Sequence, residues 1–288
     1  MLIQGVAQEI ALIDVHKEKA EGEAMDLEHG LLFLPEAKIT FGDSYELCKD
    51  ADVIVITAGL AQKQGESRLD LVNKNIAIFK DIIPKITKYA GNSIILVVTN
   101  PVDIMTYVAY KLSGLNKNKV FGSGTALDTA RLRYYVGNYF DIAPHNVHAF
   151  VLGEHGDSEF PIWSRATVAG LRINEVEGFK QTILSEIHNK TKNAVYEVIS
   201  KKGATYYAIG LVISKIVKAI LHNQHDVMPL SVYLDNYYDE GNICMSIPCV
   251  VGKEGIIRRM QLPLTQEEQQ SLHKSASVLK EIISNIKL

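Results

Sequence analysis

Short unbroken apolar runs alternate with longer amphipathic stretches over the first 122 residues. The runs at 9–15, 38–41, 52–57, 93–98 and 120–121 have the length and β-branched content of buried strands. Between them, 17–32, 69–89 and 102–112 carry helix formers with apolar residues at helical spacing. Buried strands separated by helices predict a parallel sheet covered on both faces, an α/β doubly wound arrangement. After Thr125 the texture changes. A helix is predicted over 127–139, a strand over 147–152, a long mostly helical stretch over 174–201 and a second helix over 204–222. That second helix is apolar on most faces and is expected to be buried. Residues 228–233 and 242–251 alternate like antiparallel strands around the turn Asp239-Glu240-Gly241, and 266–287 closes the chain as an amphipathic helix. Two domains follow, 1–122 and 123–288, packed as one unit.

At 288 residues, 47% hydrophobic and 22% charged, the chain has a soluble globular composition. A net charge of −3 does not suggest nucleic acid or an anionic membrane as partner. No apolar run approaches the roughly 18 residues of a membrane-spanning helix, and no basic-then-apolar leader is present. Cys48, Cys244 and Cys249 lack metal spacing and read as reduced thiols, so a cytoplasmic location is expected. No metal site is expected either, since His145 and His148 lack a third ligand.

The chemistry gathers around Val151-Leu152-Gly153-Glu154-His155-Gly156-Asp157-Ser158-Glu159. Glycines flanking an acid–histidine pair at a strand end can present one imidazole with little cover, and imidazole exchanges protons near neutral pH. Read alone, His155 is either a turn histidine or a proton-transfer group. Asp128 and Arg131 stand at i, i+3 on one predicted helix face. They form either a local ion pair or a separated couple, with Asp128 orienting His155 and Arg131 gripping a carboxylate. Asp14, at the end of the first run, suits adenosine ribose hydroxyls or a helix cap. Thr57-Ala58-Gly59 and Val98-Thr99-Asn100-Pro101 follow buried strands, where open α/β sheets bind ligands, although Asn-Pro is also a common turn starter. Arg68 ends the polar, anchorless segment 62–67, which suits a mobile lid or an exposed helix start.

The motifs LID at 12–14, ITAG at 56–59, QKQGESR at 62–68, VTNPVD at 98–103, GSGTALDTARLR at 122–133, GEHGDSE at 153–159 and KGATYY at 202–207 resemble those of bacterial L-lactate dehydrogenases. They follow the family's order along essentially the whole chain. The resemblance implies a Rossmann-type sheet with a second, α+β catalytic domain. It implies His155 as proton donor and acceptor, Asp128 as its partner, Arg131 as carboxylate anchor, Arg68 as the residue that polarises the ketone, and Thr205 in the pocket wall. It places Asp14, Lys19, Tyr45, Gly59, Leu60, Val98, Thr99, Asn100 and Ser123 against NAD. Hydride would then pass between C2 of a 2-hydroxy acid and the nicotinamide.

Gln62 bears on the substrate. Malate relatives carry arginine there, which pairs with a second carboxylate. A neutral Gln62 leaves that carboxylate unpaired, at a cost of about 3–5 kcal/mol, so pyruvate and lactate are expected over oxaloacetate and malate. Arg133 and His148 stand at the offsets that hold fructose 1,6-bisphosphate in the family, which implies activation by that ligand and a homotetramer. The family's first strand and glycine-rich turn precede Met1, so the sheet is expected to lack its first strand and NAD to bind weakly. The chain accordingly reads as the remainder of an enzyme that starts upstream. The competing reading is a truncated, non-catalytic assembly partner.

Overall fold

The structure, a computed structural model, describes residues 1–60 and 68–288, with the side chains of residues 68 and 69 outside that description. Its first half holds strands β1 (Glu9–Ile13), β2 (Lys38–Gly42), β3 (Val53–Ile56), β4 (Ile94–Val97) and β5 (Val120–Gly122). Helices α1 (Lys17–His29), α2 (Arg68–Tyr89) and α3 (Val102–Ser113) connect them. The five strands are parallel to their neighbours, in two separate ladders. Glu9 to Ile13 face Lys38 to Gly42 in one; β3, β4 and β5 pair in that order in the other. Among the described residues, β1 pairs with β2 alone and β3 with β4 alone.

The second half begins with α4 (Ala126–Phe140). The short strands β6 (Val147–His148), β7 (Val151–Leu152), β8 (Phe160–Pro161), β9 (Thr167–Val168) and β10 (Leu171–Arg172) follow. Then come α5 (Thr182–Lys202), α6 (Tyr207–Leu221), β11 (Asp226–Leu234), β12 (Ile243–Gly252), β13 (Gly255–Arg259) and α7 (Gln266–Ser284). The long β11–β12 hairpin does not stand apart. Val232 lies opposite Phe121, so β11 extends the parallel ladder into a mixed six-stranded sheet, ordered β13-β12-β11-β5-β4-β3. The sheet therefore runs across the boundary expected near Gly122.

One apolar core follows this sheet: Ile95, Leu96, Phe121, Met105, Leu230, Met245 and Ile247 are all fully buried in it. A second packs Leu132 and Val136 of α4 against Val147, Val151 and Ile187. A small third one, of Leu2, Ala24 and Ile39, serves β1, β2 and α1. The last helix starts on a capping box. Glu268 N–H donates to the Thr265 hydroxyl at 3.3 Å, and Thr265 N–H to the Glu268 carboxylate at 3.0 Å.

Three sequence expectations need correction. The strand expected over 147–152 breaks at Ala149-Phe150, because β6 pairs with β9 whereas β7 pairs with β8. The helix expected from 174 starts at Thr182, after a short hairpin and a single 3-10 turn at Ile173–Glu175. Finally, α6 is not buried throughout. Tyr207 is 74% exposed and Leu211 61%, and the buried positions fall in the second half, at Ile216, Val217, Ala219 and Ile220. An all-round apolar composition does not mark which turns meet a neighbour. Among the described residues, no helix is long and apolar enough to cross a membrane.

Candidate active site

The chain enters α4 through Ser123-Gly124-Thr125. Gly124 sits at φ 51°, and a Cβ there would stand 2.5 Å from both Ser231 N and Ser246 Oγ, so a side chain is excluded twice. The next two turns clamp β7. The Thr125 hydroxyl donates to Val151 O at 2.6 Å, and Val151 N–H donates to the Thr129 hydroxyl at 2.9 Å. Both main-chain groups of Val151 are thus held by side chains that straddle Asp128.

The loop after β7 is fixed as tightly. Gly153, at φ 96°, exchanges two main-chain hydrogen bonds with Ser246. Glu154 N–H donates to Ser275 Oγ of α7 at 2.7 Å, and His155 N–H to Asp103 Oδ2 of α3 at 2.7 Å. The loop thereby delivers the imidazole to α4, where His155 Nδ1 lies 2.6 Å from Asp128 Oδ2. Nδ1 is the engaged nitrogen, which leaves Nε2 to exchange a proton. Arg131 Nη1 donates to the other Asp128 oxygen at 2.8 Å.

This geometry corrects the choice posed by the sequence, an ion pair or a separated couple. Asp128 does both, binding the imidazole with one oxygen and Arg131 with the other. A guanidinium has five N–H donors, so one contact leaves Arg131 the capacity to grip a carboxylate.

Burial alone would lower the pKa of His155, but the charge and hydrogen bond of Asp128, with Asp103 and Glu159 adding to them, raise it to about 9. The imidazole is accordingly cationic at neutral pH. Burial alone would raise the pKa of Asp128, but His155 and then Arg131 outweigh it and hold that carboxyl below the usual range. Burial pushes Asp103 up to about 6, against hydrogen bonding that includes the His155 N–H.

The expected cofactor residues lie at the carboxyl ends of the parallel strands. Thr99, buried, donates its hydroxyl to Ala58 O at 2.8 Å. A Cβ on Gly59 would stand 2.4 Å from Thr99 Cγ2, so the glycine lets the ends of β3 and β4 close on each other. Asn75, fully buried in α2, receives the Leu60 N–H at 2.8 Å and donates to Asn100 O at 2.9 Å. Val98 N–H donates to Ile56 O, and Ser123 N–H to Val97 O, both at 2.9 Å. Asn100 is exposed and its peptide to Pro101 is cis. In the other ladder, Asp14 accepts from His16 N–H at 2.9 Å and pairs with Lys19 at 3.7 Å; the Tyr45 ring lies 5.8 Å from Lys85 Nζ. A half-buried carboxylate for ribose hydroxyls, a glycine-flattened crevice and an open amide fit a dinucleotide laid along these strand ends.

Thr205 stands half-buried in the loop before α6, apart from the hydrogen bonds of the His155 cluster among the described residues. Arg133 turns to the protein instead of solvent, donating from Nε to Ala149 O at 3.0 Å and lying 5.2 Å from the Phe150 ring. His148, the exposed residue of β6, is next to that carbonyl. Gln62 and the Arg68 side chain lie outside the described residues.

The sequence reading missed Asp103, Thr125, Thr129, Asn75 and Glu159. Asn75 had a signal: it shares a helix face with Val72, Ile76 and Phe79, and an amide at a core-facing position needs buried partners.

Residues 1–122 match the lactate/malate dehydrogenase NAD binding domain, and 125–287 match the lactate/malate dehydrogenase alpha/beta C-terminal domain. An L-lactate dehydrogenase of Geobacillus sp. (strain WCH70) is 47% identical over 99% of this chain and 90% of its own length. L-lactate dehydrogenase 2 of Bacillus anthracis is also 47% identical, over 99% of this chain and 92% of its own. Among solved structures, a minor L-lactate dehydrogenase from Enterococcus mundtii in a ligand-bound form superposes with a TM-score of 0.97. It is 42% identical and covers 100% of this chain and 93% of its own. A lactate dehydrogenase from a Medee basin deep-sea metagenome library gives 0.95 at 43% identity, over 99% and 92%. With both halves matched and relatives 47% identical over nearly its whole length, the chain belongs to the lactate/malate dehydrogenase family of NAD-dependent oxidoreductases.

Proposed function

We propose that the protein is an L-lactate dehydrogenase that interconverts pyruvate and (S)-lactate. The observation that carries this reading is the shared Asp128 carboxylate, which makes His155 a cationic proton donor and fixes Arg131 one helical turn away. Bound NADH would supply the hydride to C2. The protein's own part is protonic and electrostatic. His155 Nε2 gives its proton to the C2 oxygen of pyruvate and takes it back from lactate. Arg131 grips the substrate carboxylate so that C2 faces the nicotinamide site. Arg68 and Asn100 stabilise charge on the C2 oxygen, and Thr205 lines the pocket. Asp14 and Lys19, with the crevice from Gly59 and Leu60 through Val98, Thr99 and Asn100 to Ser123, hold the dinucleotide, and Tyr45 borders it.

Gln62 supports the choice of substrate, because a neutral amide leaves the second carboxylate of oxaloacetate without a counterion. Arg133 and His148 support a bisphosphate site at a subunit boundary, hence activation by fructose 1,6-bisphosphate in a homotetramer. Three buried, free cysteines support a cytoplasmic enzyme. One assay series tests the whole reading: NADH oxidation with pyruvate or oxaloacetate, with and without the bisphosphate, alongside sedimentation. Faster turnover of oxaloacetate would sink the substrate assignment. Unchanged pyruvate affinity and assembly state with the bisphosphate would remove the activator. The absence of saturable NADH binding would favour a non-catalytic assembly partner.

A further inference from the structure

One acid of the site has no part in the mechanism above. Glu159 ends the His155 loop, immediately before β8, and is only 5% exposed. Its Oε1 is fully buried with no hydrogen-bond partner among the described residues. One ligand atom each from Asp128, His155 and Glu159 lie within 4.8 Å of one another. Two carboxyls at that range cannot both ionise cheaply, and the environment decides which does. Asp128 has a cation on each oxygen, the imidazole at 2.6 Å and the guanidinium at 2.8 Å. Glu159 has neither.

The surrounding elements do not redress this. From α5, Lys192 brings a positive charge, but it is committed to Asp157, donating to its carbonyl at 2.6 Å with its carboxylate at 3.6 Å. His188, also on α5, is itself pushed toward the neutral form by burial. From α3, Asp103 adds negative charge near His155 and no counterion for Glu159. Within the loop, Glu154 accepts from Ser158 at 2.5 Å.

We propose that Glu159 is a positioning residue of the proton-transfer centre, an acid that keeps its proton beside the charged Asp128–His155–Arg131 set and, once ionised, holds His155 in its cationic form. The inference rests on the dehydrogenase reading for its use and on this cluster's geometry for its existence. Burial, then the neighbouring Asp128 charge, pushes Glu159 up to about 8, against opposing pulls from His155, Arg131 and Lys192. His155 titrates higher, at about 9. Once ionised, Glu159 sets a second negative charge beside the imidazole, which delays the loss of the His155 proton. The effect widens the pH range over which a proton donor is available.

The test is an NMR titration of isotope-labelled histidines in the full chain, comparing the protein with Glu159→Gln and Glu159→Asp, and with His155→Gln to assign the signal. Glu159→Gln is expected to lower the His155 midpoint by about one pH unit, and Glu159→Asp to restore most of it. An unmoved midpoint in folded Glu159→Gln overturns the proposal. Should that variant fail to fold, infrared spectra of the unaltered protein carrying labelled glutamate decide. A protonated-carboxyl band at neutral pH that vanishes through about pH 8 supports the proposal; no such band overturns it. Neither measurement needs turnover, so a failure of the lactate assignment would show separately. In active enzyme, the alkaline limb of kcat/KM for pyruvate should move down with the NMR midpoint.

Discussion

His155 is placed by its backbone and charged by its ring, and different residues govern the two. Asp103 holds the His155 N–H at 2.7 Å, whereas Asp128 holds Nδ1 at 2.6 Å. Reduction of pyruvate needs the imidazolium and oxidation of lactate the neutral ring. With His155 at about 9, kcat/KM for pyruvate should stay level at neutral pH and fall as pH rises through that value, while lactate oxidation rises. The same shift has a sign for stability. A histidine raised above its ordinary 6.5 in the folded protein stabilises it fully below 6.5 and loses that contribution as pH climbs through about 9. Denaturant midpoints against pH should show the advantage of the native chain over His155→Gln shrinking across this window. A constant difference would mean that the ring is not charged in the folded state.

The separation between α4 and the β7 loop depends on two threonines that no motif search would select. Thr125 and Thr129 hold the carbonyl and the N–H of Val151, and Asp128 lies between them. Thr129→Val keeps the shape but orphans a buried N–H, at a cost of about 1–3 kcal/mol. Thermal melting should drop accordingly, and kcat should fall more than KM rises, since the Asp128–His155 contact loosens while Arg131 stays on its helix. An unchanged kcat would show that β7 is placed by its strand pairing alone. These contacts also mark where reading the sequence stops. His155, Asp128 and Arg131 each had an ordinary structural reading, a turn histidine and a local ion pair, and only the family's motifs singled them out as a set. Thr129 was not legible, because a threonine in a helix reads the same whether its hydroxyl meets water or a strand. The hairpin β9–β10 escaped for a related reason: strands of two residues are too short for any alternation. β13 did carry a signal, since the Gly252-Lys253-Glu254-Gly255 turn, with Gly255 at φ 89°, is a tight hairpin connection.

The molecule is unevenly built, and the cofactor side is the thinner part. The mixed sheet joins β3, β4 and β5 to β11, β12 and β13, and its core includes fully buried Ile95, Leu96, Phe121, Leu230 and Met245. The β1–β2 ladder rests on α1 and a core of Leu2, Ala24 and Ile39, while Leu32 and Phe33 beside it stand more than 80% exposed. Little buried apolar surface and, among the described residues, a strand edge without a ladder partner predict that this lobe opens without the rest. Amide exchange should therefore be about a hundredfold or more faster at 9–13 and 38–42 than at 94–97, 120–122 and 230–234. Asp14 and Tyr45 tie the dinucleotide reading to this same lobe. NADH should accordingly slow exchange there first, by up to about a hundredfold at a hundred times its dissociation constant, with little change in the mixed sheet. Equal protection of both ladders without ligand would show that the lobe unfolds only with the whole chain. Protection confined to 94–97 and 120–122 on adding NADH would instead remove Asp14 from the dinucleotide site.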